Sequence, residues 1–263
     1  MISRYLHRIV IAWLIVVATI PLARAATQYD PGLWAEVLEA YVDDRGFVDY
    51  AGLSEDREVL DRYLAQVKST GPESHPELFP DRWHELAFYI NAYNALVFEG
   101  VLARGPETES VWKGLVSGLN FFVRMDIVVD GRETNLRNLE NKIIRDRYGD
   151  PRIHAALNCA SISCPRLPRK PFDANDLDRE LEQAMTEFVA NAEHVRIQGD
   201  TVYLSKIFDW FEEDFTEFEV SQGNSDPRIT DYINRYLPAE QTISPDLKVR
   251  YVKYNKGINS QTN

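Results

Sequence analysis

The stretch Asp81-Arg82-Trp83-His84-Glu85-Leu86-Ala87-Phe88-Tyr89-Ile90-Asn91-Ala92-Tyr93-Asn94-Ala95-Leu96-Val97-Phe98-Glu99-Gly100-Val101-Leu102-Ala103-Arg104 decides the fold. It is apolar on nearly every side, the pattern of a helix wrapped by the rest of its domain. Gly105-Pro106 ends it. Asn91 and Asn94 stand three residues apart, on one face of that helix, among apolar neighbours. Burying two amides is costly unless they are hydrogen-bonded. They therefore either pin an irregular loop, with the cysteine-bearing segment a natural partner, or contact a substrate. Glu85, nearer the helix start, either complements the helix N-terminus by its charge or orients a histidine.

Working outward, residues 30–42 read as a helix with Leu33, Trp34, Val37, Leu38 and Tyr41 on one stripe, Asp30 as N-cap and Pro31 in the first position. Residues 46–50 form a short extended piece, and Ser54 is the expected N-cap of a helix carrying Val59, Leu60, Tyr63, Leu64 and Val67. Downstream, residues 123–135 read as a hairpin turning at Asp130-Gly131, and residues 136–148 as helix. Residues 152–158 read as a buried strand. A helix capped by Asp173 runs to about residue 191, and residues 195–204 make a second hairpin at Gly199-Asp200. Shorter helices over 205–215 and 226–236 and a strand over 249–254 complete the chain. Helices and antiparallel-looking strands in mixed order predict a single α+β domain, its buried central helix packed on a small, mostly antiparallel sheet.

Arg4 and Arg8 precede an apolar run over residues 9–20, which Pro21 closes before Ala23-Arg24-Ala25. This is the pattern of a signal peptide cleaved after Ala25, with export to a periplasm or beyond. The run is short for a bilayer span of about 20 residues, so an uncleaved anchor is the weaker alternative. The chain has 263 residues and a formal charge of −12; losing residues 1–25, with three arginines and no acids, takes the charge to −15. What remains is enough for one domain with a full core. An acidic surface repels phosphates, which argues against nucleic-acid partners. The expected partner is a small molecule or peptide.

Both cysteines lie in His154-Ala155-Ala156-Leu157-Asn158-Cys159-Ala160-Ser161-Ile162-Ser163-Cys164-Pro165. Thiol chemistry is confined to this segment. A cysteine nucleophile needs a base and the base an orienting group, so Cys164 or Cys159, His154, and Glu85 or an asparagine supply the required types. Asn158, Ser161 and Ser163 add polar groups to the same centre. Export instead favours a Cys159–Cys164 disulfide and a binding or scaffold domain without turnover. A metal site would have three ligands, His154, Cys159 and Cys164, with no convincing fourth, since nothing in the spacing requires Asp150 or His194, and no cofactor is expected. In residues 204–215 the phenylalanines keep core spacing, while Trp210 and Asp214 border a pocket. The chain lacks G-x-S-x-G, H-E-x-x-H, a glycine-rich phosphate loop and an EF-hand pattern.

Residues 86–96 (LAFYINAYNAL), 150–167 (DPRIHAALNCASISCPRL), 204–211 (LSKIFDWF) and Asp214-Phe215 together resemble the family called domain of unknown function 547. Family members often carry Glu-His where this chain has Glu140-Asn141. The resemblance implies an exported domain whose polar centre joins the Asn91/Asn94 helix to the cysteine loop. Papain-like cysteine hydrolases are a remote analogy only, since the long helix here carries no cysteine.

Overall fold

The structure, a computed structural model, describes residues 29–113 and 119–262. The signal-peptide reading of residues 1–25 lies outside them. Three helices precede the long one: α1 (Gly32–Tyr41), α2 (Tyr50–Glu55) and α3 (Glu58–Ser69). The expected Ser54 cap does not form: α3 follows Arg57 with no side-chain cap, while Ser54 lies inside α2, its hydroxyl donating to the Ala51 carbonyl, and α2 itself is capped by Asp49, which accepts from the Gly52 N–H. The long helix is α4 (Arg82–Leu102), started by Asp81, whose carboxylate accepts from the Trp83 and His84 N–H groups. From Leu86 to Phe98 every residue of α4 is buried, which is why its sequence shows no polar face. Trp34 of α1 stacks on Tyr63 of α3 at 5.8 Å and meets Phe98 of α4 edge-on at 5.1 Å. Gly100 lets α4 pass close to Phe121 and Met125, where a Cβ would come within 2.8 Å of both side chains.

After α5 (Leu119–Phe122), strands β1 (Ile127–Val129) and β2 (Arg132–Thr134) form the expected antiparallel hairpin. Asp130 and Gly131 both have positive φ, 53° and 73°, as a type I′ turn requires. The Asp130 carboxylate accepts from the N–H groups of Glu73 and Ser74, tying the hairpin to the segment after α3. Then α6 (Leu136–Asn138), a π-helical run (Leu139–Arg145) and α7 (Asp146–Tyr148) follow without a break. Wide π turns are frequent at functional sites.

The strand expected over residues 152–158 does not form. Asp150 accepts from the Arg152 N–H, Pro151 fixes the first φ, and Pro151–Ala155 coils into a 3-10 turn. The chain continues through α8 (Leu177–Ala190), β3 (Val195–Gln198), β4 (Thr201–Leu204), α9 (Lys206–Trp210), α10 (Glu212–Ser221), α11 (Ile229–Asn234) and β5 (Lys248–Tyr251). The start of α8 follows Asp176, three residues beyond the expected Asp173. In this sheet β4 is central, antiparallel to β3 and parallel to β5.

The principal neighbours of α4 are helical: α2, α3, α6, the π run and α8. Two apolar clusters result, a large one around α4 and a smaller one joining the end of α8, β3, β4 and α9 to α11. Ala155 belongs to the smaller and Ala156 to the larger, so the cysteine segment starts at their junction. Helices and two small sheets make one α+β domain. Among the described residues no helix is long and apolar enough to cross a membrane.

Candidate functional site

The cysteine loop is irregular, and its buried backbone groups are paired by side chains and by the C-terminal segment. Asn94 holds it from α4, its Nδ2 donating to the Ala156 carbonyl at 3.0 Å and its Oδ1 accepting from the Asn158 N–H at 2.9 Å. Asn158 in turn donates to the Pro165 carbonyl and accepts from the Ala160 N–H and from Asn259. Ala160 takes a positive φ of 58° within this clasp. The Ile162 N–H donates to the Gly257 carbonyl, and the Asn259 N–H to the Ala160 carbonyl. Asn91 works one turn earlier on a different loop, exchanging two hydrogen bonds with the backbone of Phe172. Both helix asparagines are thus occupied by backbone. Ser163 accepts from the Asn255 N–H, and Ser161 from Trp112 Nε1.

The clasp brings Cys159 and Cys164 together, unbonded, with sulfurs 2.7 Å apart. Cys164 is the better solvated by donors. Its sulfur accepts from the Cys159 N–H at 3.1 Å and the Ser161 N–H at 3.4 Å, and the Tyr254 hydroxyl lies 3.2 Å from it and 3.3 Å from the Cys159 sulfur. Burial pushes the Cys164 thiol up, but the Cys159 thiol, Tyr254 and these two N–H groups more than offset it, and its pKa falls below the ordinary value. Cys159 moves the other way. Its hydrogen bond to Cys164, then burial, hold it well above the usual thiol range. The pair is therefore asymmetric: a thiolate is favoured on Cys164 and a proton on Cys159.

His154 is buried, its ring stacked on Phe211 at 4.0 Å between centroids. Its Nε2–H donates to Asp214 Oδ2 at 2.6 Å. Arg145 donates to both Asp214 oxygens at 2.7 Å and to Asn141. Burial would raise the Asp214 carboxyl, but the hydrogen bonds from His154 and Arg145 hold it well below the usual carboxylate range. Burial likewise lowers the His154 pKa, with Asp214 opposing part of the shift. His154 is thus neutral near pH 7, its Nε2 proton committed to Asp214. Its Nδ1 makes no hydrogen bond among the described residues. The residue is one of those lining the adjoining cavity.

That cavity, about 550 Å³, holds Cys159, Cys164 and His154 in one lining. Its walls are aromatic, from Tyr93, Trp112, Phe122, Trp210, Phe211 and Tyr254. Trp210 packs on Tyr254 at 4.8 Å. Arg137, Glu140 and Asn141, on α6 and the π run, supply the polar side. The Glu140 carboxyl is raised by burial, with the Tyr93 hydroxyl donating to it as a partial offset.

Glu85 does not reach this site. It accepts from the Tyr148 hydroxyl at 2.8 Å and is absent from the lining; the carboxylate on His154 is Asp214. Tyr254, Trp112, Arg145 and Glu140 are additions that spacing does not reveal. Among the described residues no group of three His, Cys, Asp or Glu side chains is placed to hold a metal ion.

No curated protein and no solved structure matched the chain. Residues 79–189 match the model of the family described as "Protein of unknown function, DUF547".

Proposed function

We propose that the cavity is a thiol-dependent acyl-transfer site, hydrolase or acyltransferase, with Cys164 as nucleophile. The observation that carries this reading is the set of donors on the Cys164 sulfur, facing an aromatic cavity that also holds His154. In this reading the Cys164 sulfur bonds to a substrate carbonyl carbon, and the bond to the leaving group breaks. The proton Cys164 gives up goes to His154 Nδ1 and from there to the leaving group. Water then cleaves the thioester, its proton passing through His154 back to sulfur as the acid departs; with another nucleophile in place of water the acyl group is transferred. Asp214 orients His154 and stabilises its cationic form. Cys159 and Tyr254 position the nucleophile as donors. The protein acts after export, a reading supported by Arg4, Arg8 and the apolar run that follows.

The test is acyl-enzyme trapping. Reduced protein mixed with p-nitrophenyl acetate should release a burst of about one nitrophenolate per chain, with the acetyl mass on the Cys164 peptide. Cys164→Ala should abolish the burst and Cys159→Ser should not. A burst untouched by Cys164→Ala would remove the proposal. A second reading, a binding or scaffold domain closed by a Cys159–Cys164 disulfide, is favoured by the 2.7 Å sulfur separation. It predicts no alkylation of protein isolated without reductant, and two alkylated thiols after reduction.

A further inference from the structure

The cavity has one exposed cation, Arg137, and its guanidinium makes no hydrogen bond or ion pair among the described residues. Arg145, on the Asp214 side of His154, is engaged by Asp214 and Asn141. Glu140 feels the Arg137 charge, yet its carboxylate is held by the Tyr93 hydroxyl and forms no ion pair with Arg137. A second positive group, the Lys256 ammonium, sits 4.7 Å over the ring of Trp112 on the aromatic wall. A planar, permanently charged fork beside an aromatic cavity suits a carboxylate joined to an apolar or aromatic body. The cavity volume of about 550 Å³ suits a small molecule.

Resting on the acyl-transfer reading, we propose that Arg137 is the substrate-anchoring residue of this site, and that the substrate class is a small acyl compound bearing one carboxylate. The carboxylate pairs with Arg137 while the apolar body lies among Trp112, Trp210 and Phe211, presenting the acyl carbon to Cys164. The anchor is tested without knowing the substrate, by the rates at which iodoacetate and iodoacetamide label the Cys164 peptide of reduced protein. The two reagents share the reacting iodomethylene carbon and carry beside it a charged carboxylate or a neutral amide, so each variant's rate ratio is compared with that of the wild type. The ratio of iodoacetate to iodoacetamide rates should fall about fivefold in Arg137→Gln and further in Arg137→Glu, while Arg137→Lys keeps most of it. As a second measurement, 3-phenylpropionate should protect Cys164 from iodoacetamide and 3-phenylpropionamide should not, and the protection should vanish in Arg137→Glu. An unchanged ratio in Arg137→Glu, with iodoacetamide still labelling Cys164, overturns the anchor and leaves the acyl-transfer reading standing. A Cys164 that iodoacetamide does not label at all overturns both.

Discussion

Asp214 sits between His154 and Arg145, and its charge there has a measurable consequence for stability. Its folded pKa lies below the ordinary 3.8, so between those two values the unfolded chain binds more protons. The stability it contributes is present above the ordinary 3.8 and is lost as pH falls through the lower folded value. His154, pushed below its ordinary 6.5, has the same sign: the folded state resists its protonation, so stability also declines as pH drops below 6.5. Asp214→Asn should cost about 1.5–3 kcal/mol at pH 7, from the charged hydrogen bonds it weakens. It should also flatten the acid limb below pH 3.8 in urea denaturation. An acid limb as steep as wild type would contradict this account of the network. At this scale the thiols and His154 were legible, because scarce residue types fall in one run. Asp214 and Tyr254 lie 60 positions from His154 and 90 from Cys164, distances at which spacing carries no information.

Among the elements, α4 both holds the core and supports the site, and Asn94 is the residue where the two roles meet. Asn94→Ala would orphan the Ala156 carbonyl and the Asn158 N–H, both in a buried loop, at about 1–3 kcal/mol for each group. The loop that aligns the donors on Cys164 should loosen with it. We expect a lower denaturation midpoint together with a Cys164 labelling rate that shifts to higher pH. An unaltered labelling profile would show that α4 does not position the thiols. The helix and both hairpins were readable because burial on all sides, Asp130-Gly131 and Gly199-Asp200 are local signals. The turn at Pro151–Ala155 was not. Its apolar residues fit a buried strand equally well, and the cap by Asp150 with Pro151 decides the outcome.

In the whole molecule, the site lies where two apolar clusters meet, and each contributes one wall. The family match at residues 79–189 contains α4, the π run and the cysteine loop, while Trp210, Phe211, Asp214 and Tyr254 come from beyond it. The cavity is therefore a product of the complete α+β domain. The sequence could identify that domain class from its mixed order of helices and hairpins, but not the junction, which depends on long-range packing. The central claim is that this junction stabilises a thiolate on Cys164 and keeps the proton on Cys159. It is tested most directly by alkylating reduced protein with iodoacetamide across pH and reading each cysteine peptide by mass. The account predicts that Cys164 labels first, with a midpoint below the ordinary thiol value of 9.0, while Cys159 stays unlabelled through that range. Labelling of Cys159 first, or a Cys164 midpoint at or above 9.0, would contradict it.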